Sequence, residues 1–391
     1  WEAKDNIVSE ARKILKGDTL DLLYATPPCQ GMSKNGRGKL LSEVRAGRTP
    51  PMDERNRLII PTLEIAKSLK PNIVLFENVP EMEKTIIATE DGDAVNLVNF
   101  ISHELGEEYR GVAEVVEFAN YGVPQRRQRL ITVFSRCQRM KNWLFDNGSF
   151  MPPASHSRNG CETTDRWVTL RDVIEDLPPL DARTAEAACS DIPYHRVPVL
   201  DSRKYWWVEH TPVGKSAFDN QCVECGYEGN VTHSARKNKE GINRASYDTP
   251  LYCSHCCALL PRPAVSRDGS VRLMRGYTSA YKRMAYDAPG SALTRNFSYA
   301  CSDNKLHPTQ NRVLSIREAF RVHTIDDYSY AWEGEDGRPV SDKTIRDVIG
   351  ESIPPGGFEV IVKYIRDIYE GKKQGHDLAK IGPLFDTVFR Q

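Results

Sequence analysis

Apolar runs alternate with helical spacings along the first 135 residues. "LDLLYA" (20–25), "NIVLFENV" (72–79), "GVAEVVEFANYGVP" (111–124) and "RLITVFS" (129–135) are short, rich in branched and aromatic side chains, and bounded by turn residues, as buried strands are. Between them, "RLIIPTLEIAKSL" puts Leu58, Ile59, Leu63, Ile65, Ala66 and Leu69 at helical spacing before Lys70-Pro71 stops the element. "AVNLVNFISHELG" predicts a second amphipathic helix that ends at Gly106. The alternation predicts an α/β fold with a parallel sheet, which holds its ligands at the carboxyl ends of its strands. Cys29 and Glu77 both fall at such ends. The residues before the first strand are read as leading straight into it. From about residue 140 to 280 the periodicity dissolves into Pro, Ser, Asn, Arg and Cys, which predicts an irregular second domain. Regularity returns with "LSIREAFRVH" and, after the turn "PPGG", with the amphipathic "FEVIVKYIRDIY".

Length and charge narrow the picture. A chain of 391 residues exceeds one ordinary core and implies two domains. A formal net charge of zero excludes a polycation but leaves room for local basic faces. No run of 18 apolar residues and no signal-peptide core occur, so a membrane span is not expected and the cytoplasm, with the nucleoid or the nucleus, is the expected location. Four of the ten cysteines form two pairs, Cys222/Cys225 and Cys253/Cys256, separated by 27 residues. Two such knuckles suit a closed tetrahedral structural zinc site in a zinc-ribbon-like fold. Gly226 permits the first tight turn, while His255 and Cys257 are rival ligands, Cys257 more as a bystander. From Ala258 to Phe297 seven Lys or Arg, among them Arg272, Arg275 and Arg283, face two Asp, with Tyr277, Tyr281 and Tyr286 interleaved. Such a stretch suits phosphate contacts and base-edge reading.

Cys29 stands in "ATPPCQGMS", just after an apolar run. A thiol attacks as its thiolate, which nearby positive charge favours. The following loop supplies Lys34, Arg37, Lys39, Arg45 and Arg48, and could close over a polyanion. Taken alone, Cys29 reads first as an inert core cysteine and Glu77 as a solvated or ion-paired carboxylate. The ordered set "PPCQG", "FENVPEM" and "YGVPQRRQRLITV", followed by "RMAYDAPGSALTRNF", "LHPTQNRVLSIREAFRVH" and "VIGESIPP", resembles the DNA cytosine-5 methyltransferase family.

The resemblance implies a Rossmann-like S-adenosylmethionine-dependent methyltransferase sheet plus a smaller, irregular target recognition domain. It assigns residues 1–145 and 306–391 to the catalytic domain and 146–305, with the four-cysteine zinc site, to target recognition. Cys29 would attack cytosine C6, Glu77 would bond N3, and Arg129, with Arg127, would hold the base O2 and orient the glutamate. Gln30, Ser33, Arg37, Lys39 and Gln125 would contact double-stranded DNA whose cytosine is flipped out. Asp5, Pro28, Leu58, Glu351 and Ser352 would lie near the methyl donor, Glu351 standing where the family has asparagine. No glycine-rich segment precedes the sheet, so a segment carrying the first motifs is expected elsewhere, unseen or on a second polypeptide. An RNA cytosine-5 methyltransferase and a non-catalytic DNA-binding subunit of the same fold are the alternatives.

Overall fold

The computed structural model describes residues 3–27, 58–88, 94–233, 236–237, 243–244, 246, 248–267, 269–274 and 278–373. The chain forms two compact units, one of Trp1–Glu117, Gln128–Pro153 and Glu359–Gln391, the other of Phe118–Arg127 and Ala154–Phe358.

In the first unit the opening residues form a helix, α1 (Lys4–Leu15), where a lead into a strand was expected. Asp5 in its first turn and Arg12 and Lys13 in its last complement the helix dipole, and Lys16 ends it in the left-handed region at φ 49°. Strands β1 (Leu22–Ala25) and β2 (Ile73–Asn78) flank α2 (Ile59–Leu69). After α3 (Leu97–Leu105), capped by the Asn96 side chain, come β3 (Arg110–Glu117) and β4 (Gln128–Ser135), then α4 (Gln138–Asn147). Ala94–Asn96 is extended, so α3 begins three residues later than the sequence suggests. The strand order is β1-β2-β4-β3, with β1 parallel to β2 and β4 antiparallel to both neighbours. The sheet is therefore mixed, not parallel. Only ten residues, Phe118–Arg127, separate β3 from β4, too few for a parallel crossover with its helix. All six β2 residues are buried, and the core joins Ile59, Leu63 and Ala66 of α2 to Val74 and Phe76, with Ile101 of α3 and Leu130 and Phe134 of β4.

The second unit carries short elements on a dense hydrogen-bonded frame. Helix α5 (Leu170–Ile174) starts at a Thr169/Asp172 capping box, and Asp201 caps α6 (Ser202–Glu209). Strands β5 (Ala264–Arg267) and β6 (Ser270–Leu273) form a hairpin. Helix α7 (Ile316–Val322) opens at a Ser315/Glu318 capping box whose buried carboxylate also takes both terminal nitrogens of Arg312. Helix α8 (Asp342–Glu351) lies tight against Thr294 and Arg295: a methyl on Gly350 would come within 2.1 Å of the Arg295 nitrogen. Helix α9 (Pro355–Tyr369) begins at Pro355, so "PGG" forms its first turn and not a preceding loop. Its residues from Glu359 belong to the first unit, where the Tyr369 hydroxyl donates to Asp21 and accepts from Asn72.

Candidate functional site

Strand register brings the first site residues together. Glu77 on β2 pairs with Ile131 on β4, so its diagonal neighbour on the same face is Arg129. Arg129 Nε meets Glu77 Oε1 at 2.6 Å, the two side chains only 17% and 10% exposed. A terminal nitrogen of Arg129 also donates to the Gln128 carbonyl, which steadies the guanidinium plane. Tyr24 of β1 pairs with Leu75, one same-face position before Glu77, and burial followed by the Glu77 charge raises its pKa. Next to Glu77, buried Asn78 donates to the Pro27 carbonyl at 3.0 Å and accepts from the Val79 nitrogen. Asn78 thus ties the chain that leaves β1 to the end of β2. Pro28, Cys29, Gln30, Ser33, Arg37, Lys39 and Arg275 lie outside the described residues.

The neighbouring predicted residues are put to other uses. Arg127 is buried and donates to the carbonyls of Leu293, Gly350 and Ser352, within the second unit. Buried Gln125 donates to His323 Nδ1 and accepts from the Leu293 nitrogen, and His323 Nε2 meets Ser352 Oγ at 2.9 Å. Glu351 is exposed and pairs with Arg295 at 3.0 Å. Arg283 spends all five N–H donors on Thr211, His307, Gln310, Val208 and Asn311, so it holds loops together and has none left for a phosphate. Burial lowers its pKa to about 10. Arg272 is exposed on β6. In the first unit, Asp5 lines a cleft of about 300 Å³ with Lys4, Val8, Glu64, Ile65, Lys67 and Ser68, which does not include Leu58.

The four cysteines converge. Cys222 Sγ is 3.6 Å from Cys256 Sγ, Cys225 Sγ is 3.8 Å from Cys253 Sγ, and all four sulfurs lie within 4.8 Å of one another. Zinc with bonds of about 2.3 Å places tetrahedral thiolates roughly 3.8 Å apart, so the spacing fits that ion. Gly226, after the first pair, sits at φ 70°, and Cys257 takes the equivalent position after the second at φ 61°. Cys257 is thereby a turn residue, and neither it nor His255 joins the cluster. The His255 nitrogen and Asn230 Nδ2 both donate to Cys253 Sγ, contacts that stabilise thiolate charge. Asn78, named only as a member of its motif, was given no role from sequence, and Asn230 and His323 were not singled out. Asn78 alone carried a signal, its place beside Glu77 at a strand end.

The model of the family described as C-5 cytosine-specific DNA methylase matches residues 3–367. The type II methyltransferase M1.HgaI of Avibacterium volantium is 27% identical over 369 residues, covering 92% of this chain and 82% of the relative. The type II methyltransferase M.AgeI of Thalassovita gelatinovora is 24% identical, covering 86% of this chain and 80% of the relative. The DNA (cytosine-5)-methyltransferase CMT2 of Arabidopsis thaliana is 23% identical over 77% of this chain and 25% of its own length.

Proposed function

The chain belongs to the C-5 cytosine-specific DNA methylase family, and from that premise we propose that Cys29, Glu77 and Arg129 form the cytosine pocket of this DNA (cytosine-5-)-methyltransferase. One observation carries the reading: a nearly buried Glu77–Arg129 pair at the end of β2, beside an asparagine that anchors the residue two places before Cys29. A buried ion pair is costly to break by removing one partner, so the arginine fixes the carboxyl that faces the base.

The chemistry follows from what cytosine lacks. Its C5 is a weak nucleophile until a group adds at C6. The Cys29 thiolate forms the Sγ–C6 bond, and the displaced electron pair moves through the ring towards N3, where the Glu77 carboxyl hydrogen-bonds and stabilises the charge. Arg129 orients Glu77 and donates to the base O2. When bound, S-adenosylmethionine would supply an electrophilic methyl group for C5, its sulfonium leaving as a neutral thioether. Transfer of the C5 proton to solvent water re-forms the C5–C6 double bond and breaks the Sγ–C6 bond, and Cys29 leaves as its thiolate. A stacked base cannot reach these groups, so the cytosine is flipped out of the duplex. Arg127 and Gln125, engaged inside the second unit, brace the segment 124–127.

Residues 146–305 serve target recognition, with Cys222, Cys225, Cys253 and Cys256 holding a structural Zn²⁺. Four thiolates leave no open position, so the ion fixes the fold and does not catalyse. Arg272, exposed on its hairpin, is open to a phosphate or a base edge. The type II names of the relatives support a role in marking host DNA within a restriction–modification system.

The test is nucleoside mass analysis after incubation with S-adenosylmethionine and either duplex DNA or tRNA. 5-Methyl-2′-deoxycytidine should appear from the duplex and vanish with Cys29→Ser; methylation of tRNA alone would overturn the DNA assignment.

A further inference from the structure

Within the second unit a cleft of about 670 Å³ opens among Pro198–Leu200, the segment 295–301 and α8. Its lining carries four cations, Lys204, Arg295, Lys343 and Arg346, against one carboxylate, Asp347. Three of the cations sit in exposed ion pairs, Lys204 with Asp201, Lys343 with Asp347, and Arg295 with Asp347 and Glu351. Such pairs are screened by water and readily exchanged for another anion. Arg346 differs. Its side chain is 10% exposed, its Nε has no hydrogen-bond partner among the described residues, and its acidic neighbour, Asp342, stands 3.8 Å away. Both oxygens of Asp342 are already taken by Arg196. A guanidinium desolvated this far and compensated this poorly is a cost to the fold unless an anion comes to it. Tyr299, more than half exposed, lies close enough to Arg346 to feel its charge, and with Asn296 and Ser298 gives the same cleft an aromatic face and neutral polar groups.

We propose that this cleft binds a backbone phosphate of the duplex substrate, with Arg346 as its inner ligand and Lys204 and Lys343 at its rim. The volume admits the attached sugar as well. This inference rests on the DNA methyltransferase reading and extends the contact surface to residues 198–204 and 343–347, on either side of the basic stretch. A phosphate carries no sequence information, so the contribution is to affinity and register, not to base choice.

Fluorescence anisotropy of the full chain on two labelled duplexes of unrelated sequence, between about 50 and 200 mM salt, tests it. Arg346→Gln should lower the slope of log affinity against log salt by about 0.9, equivalent to a loss of about eightfold at 0.1 M, equally on both duplexes. The double variant Lys204→Gln, Lys343→Gln keeps the buried arginine and guards against misfolding; it should lower the slope in the same direction. Unchanged affinity and slope in both variants would overturn the site, as would a loss confined to one sequence or saturation by inorganic phosphate with no effect on duplex binding. Anisotropy needs no turnover, so a failed cleft and a failed methyltransferase assignment give separate results.

Discussion

At the scale of single residues, two arginines two positions apart have opposite duties. Arg129 reaches across the sheet to Glu77, while Arg127 points into carbonyl oxygens. Glu77→Gln keeps the size of the side chain but removes the acid, and should lower kcat by about 10² to 10⁴-fold with duplex affinity little changed. Stopped-flow binding and single-turnover methylation separate the two effects. Away from this site, burial and then the Arg312 charge press the pKa of His307 down to about 3, from an ordinary 6.5, so it stays neutral in the fold. The unfolded chain takes up that proton first, so stability conferred by neutral His307 is complete above about pH 6.5 and is lost as pH falls towards 3, by ~1.4 kcal/mol per pH unit. Glu318, its pKa lowered by Arg312, adds in the same direction at more acid pH. Urea titrations should show this acid sensitivity reduced in His307→Asn, whose amide oxygen can still accept from Thr309 and Gln310 as Nδ1 does. Glu77 was legible in sequence because a carboxylate ends an apolar strand. The split between Arg127 and Arg129 was not, since alternation along "QRRQR" does not say which guanidinium meets a carboxylate.

At the scale of elements, close backbone approach explains the glycine of "VIGES". Gly350→Ala would drive a methyl into the Thr294–Arg295 backbone, which cannot move as a flexible side chain would. Overpacking of this kind costs about 1–3 kcal/mol, and the urea midpoint should fall accordingly. The cysteine knuckles make a different prediction. Metal analysis should find one zinc per chain, and chelation should abolish hydrogen-exchange protection around Cys222–Cys257 and sequence-specific binding, while β2 and β4 stay protected. Protection that survives chelation would argue that the thiols pack unmetallated. The Cys-x-x-Cys spacing made this cluster readable in advance. Helix α1 was not readable, because Val8 is its one buried side chain and the apolar pattern is thin. The mixed sheet was missed for another reason: strand alternation reveals burial, whereas strand direction depends on the ten-residue link between β3 and β4.

At the scale of the whole molecule, a formally neutral chain must bind a polyanion with local faces, and the described cations divide accordingly. Arg127, Arg262 and Arg283 are buried and hold backbone carbonyls, whereas Arg272, Lys204 and Lys343 stand at the surface. The order of the motifs revealed the reaction class because the chemistry needs a thiol, an acid and a base-holding cation at successive strand ends. Composition located the irregular part with its four-cysteine cluster, but not its internal frame of buried arginines, which no local pattern encodes. The central claim is that Cys29 becomes covalently joined to cytosine. In a duplex carrying 5-fluorocytosine at the target, fluorine takes the place of the proton that must leave, so the adduct cannot eliminate. With S-adenosylmethionine present, a denaturing gel should show a protein–DNA complex whose linked peptide contains Cys29, absent in Cys29→Ser. Tight duplex binding with no such complex, or a complex that survives the substitution, would contradict the account.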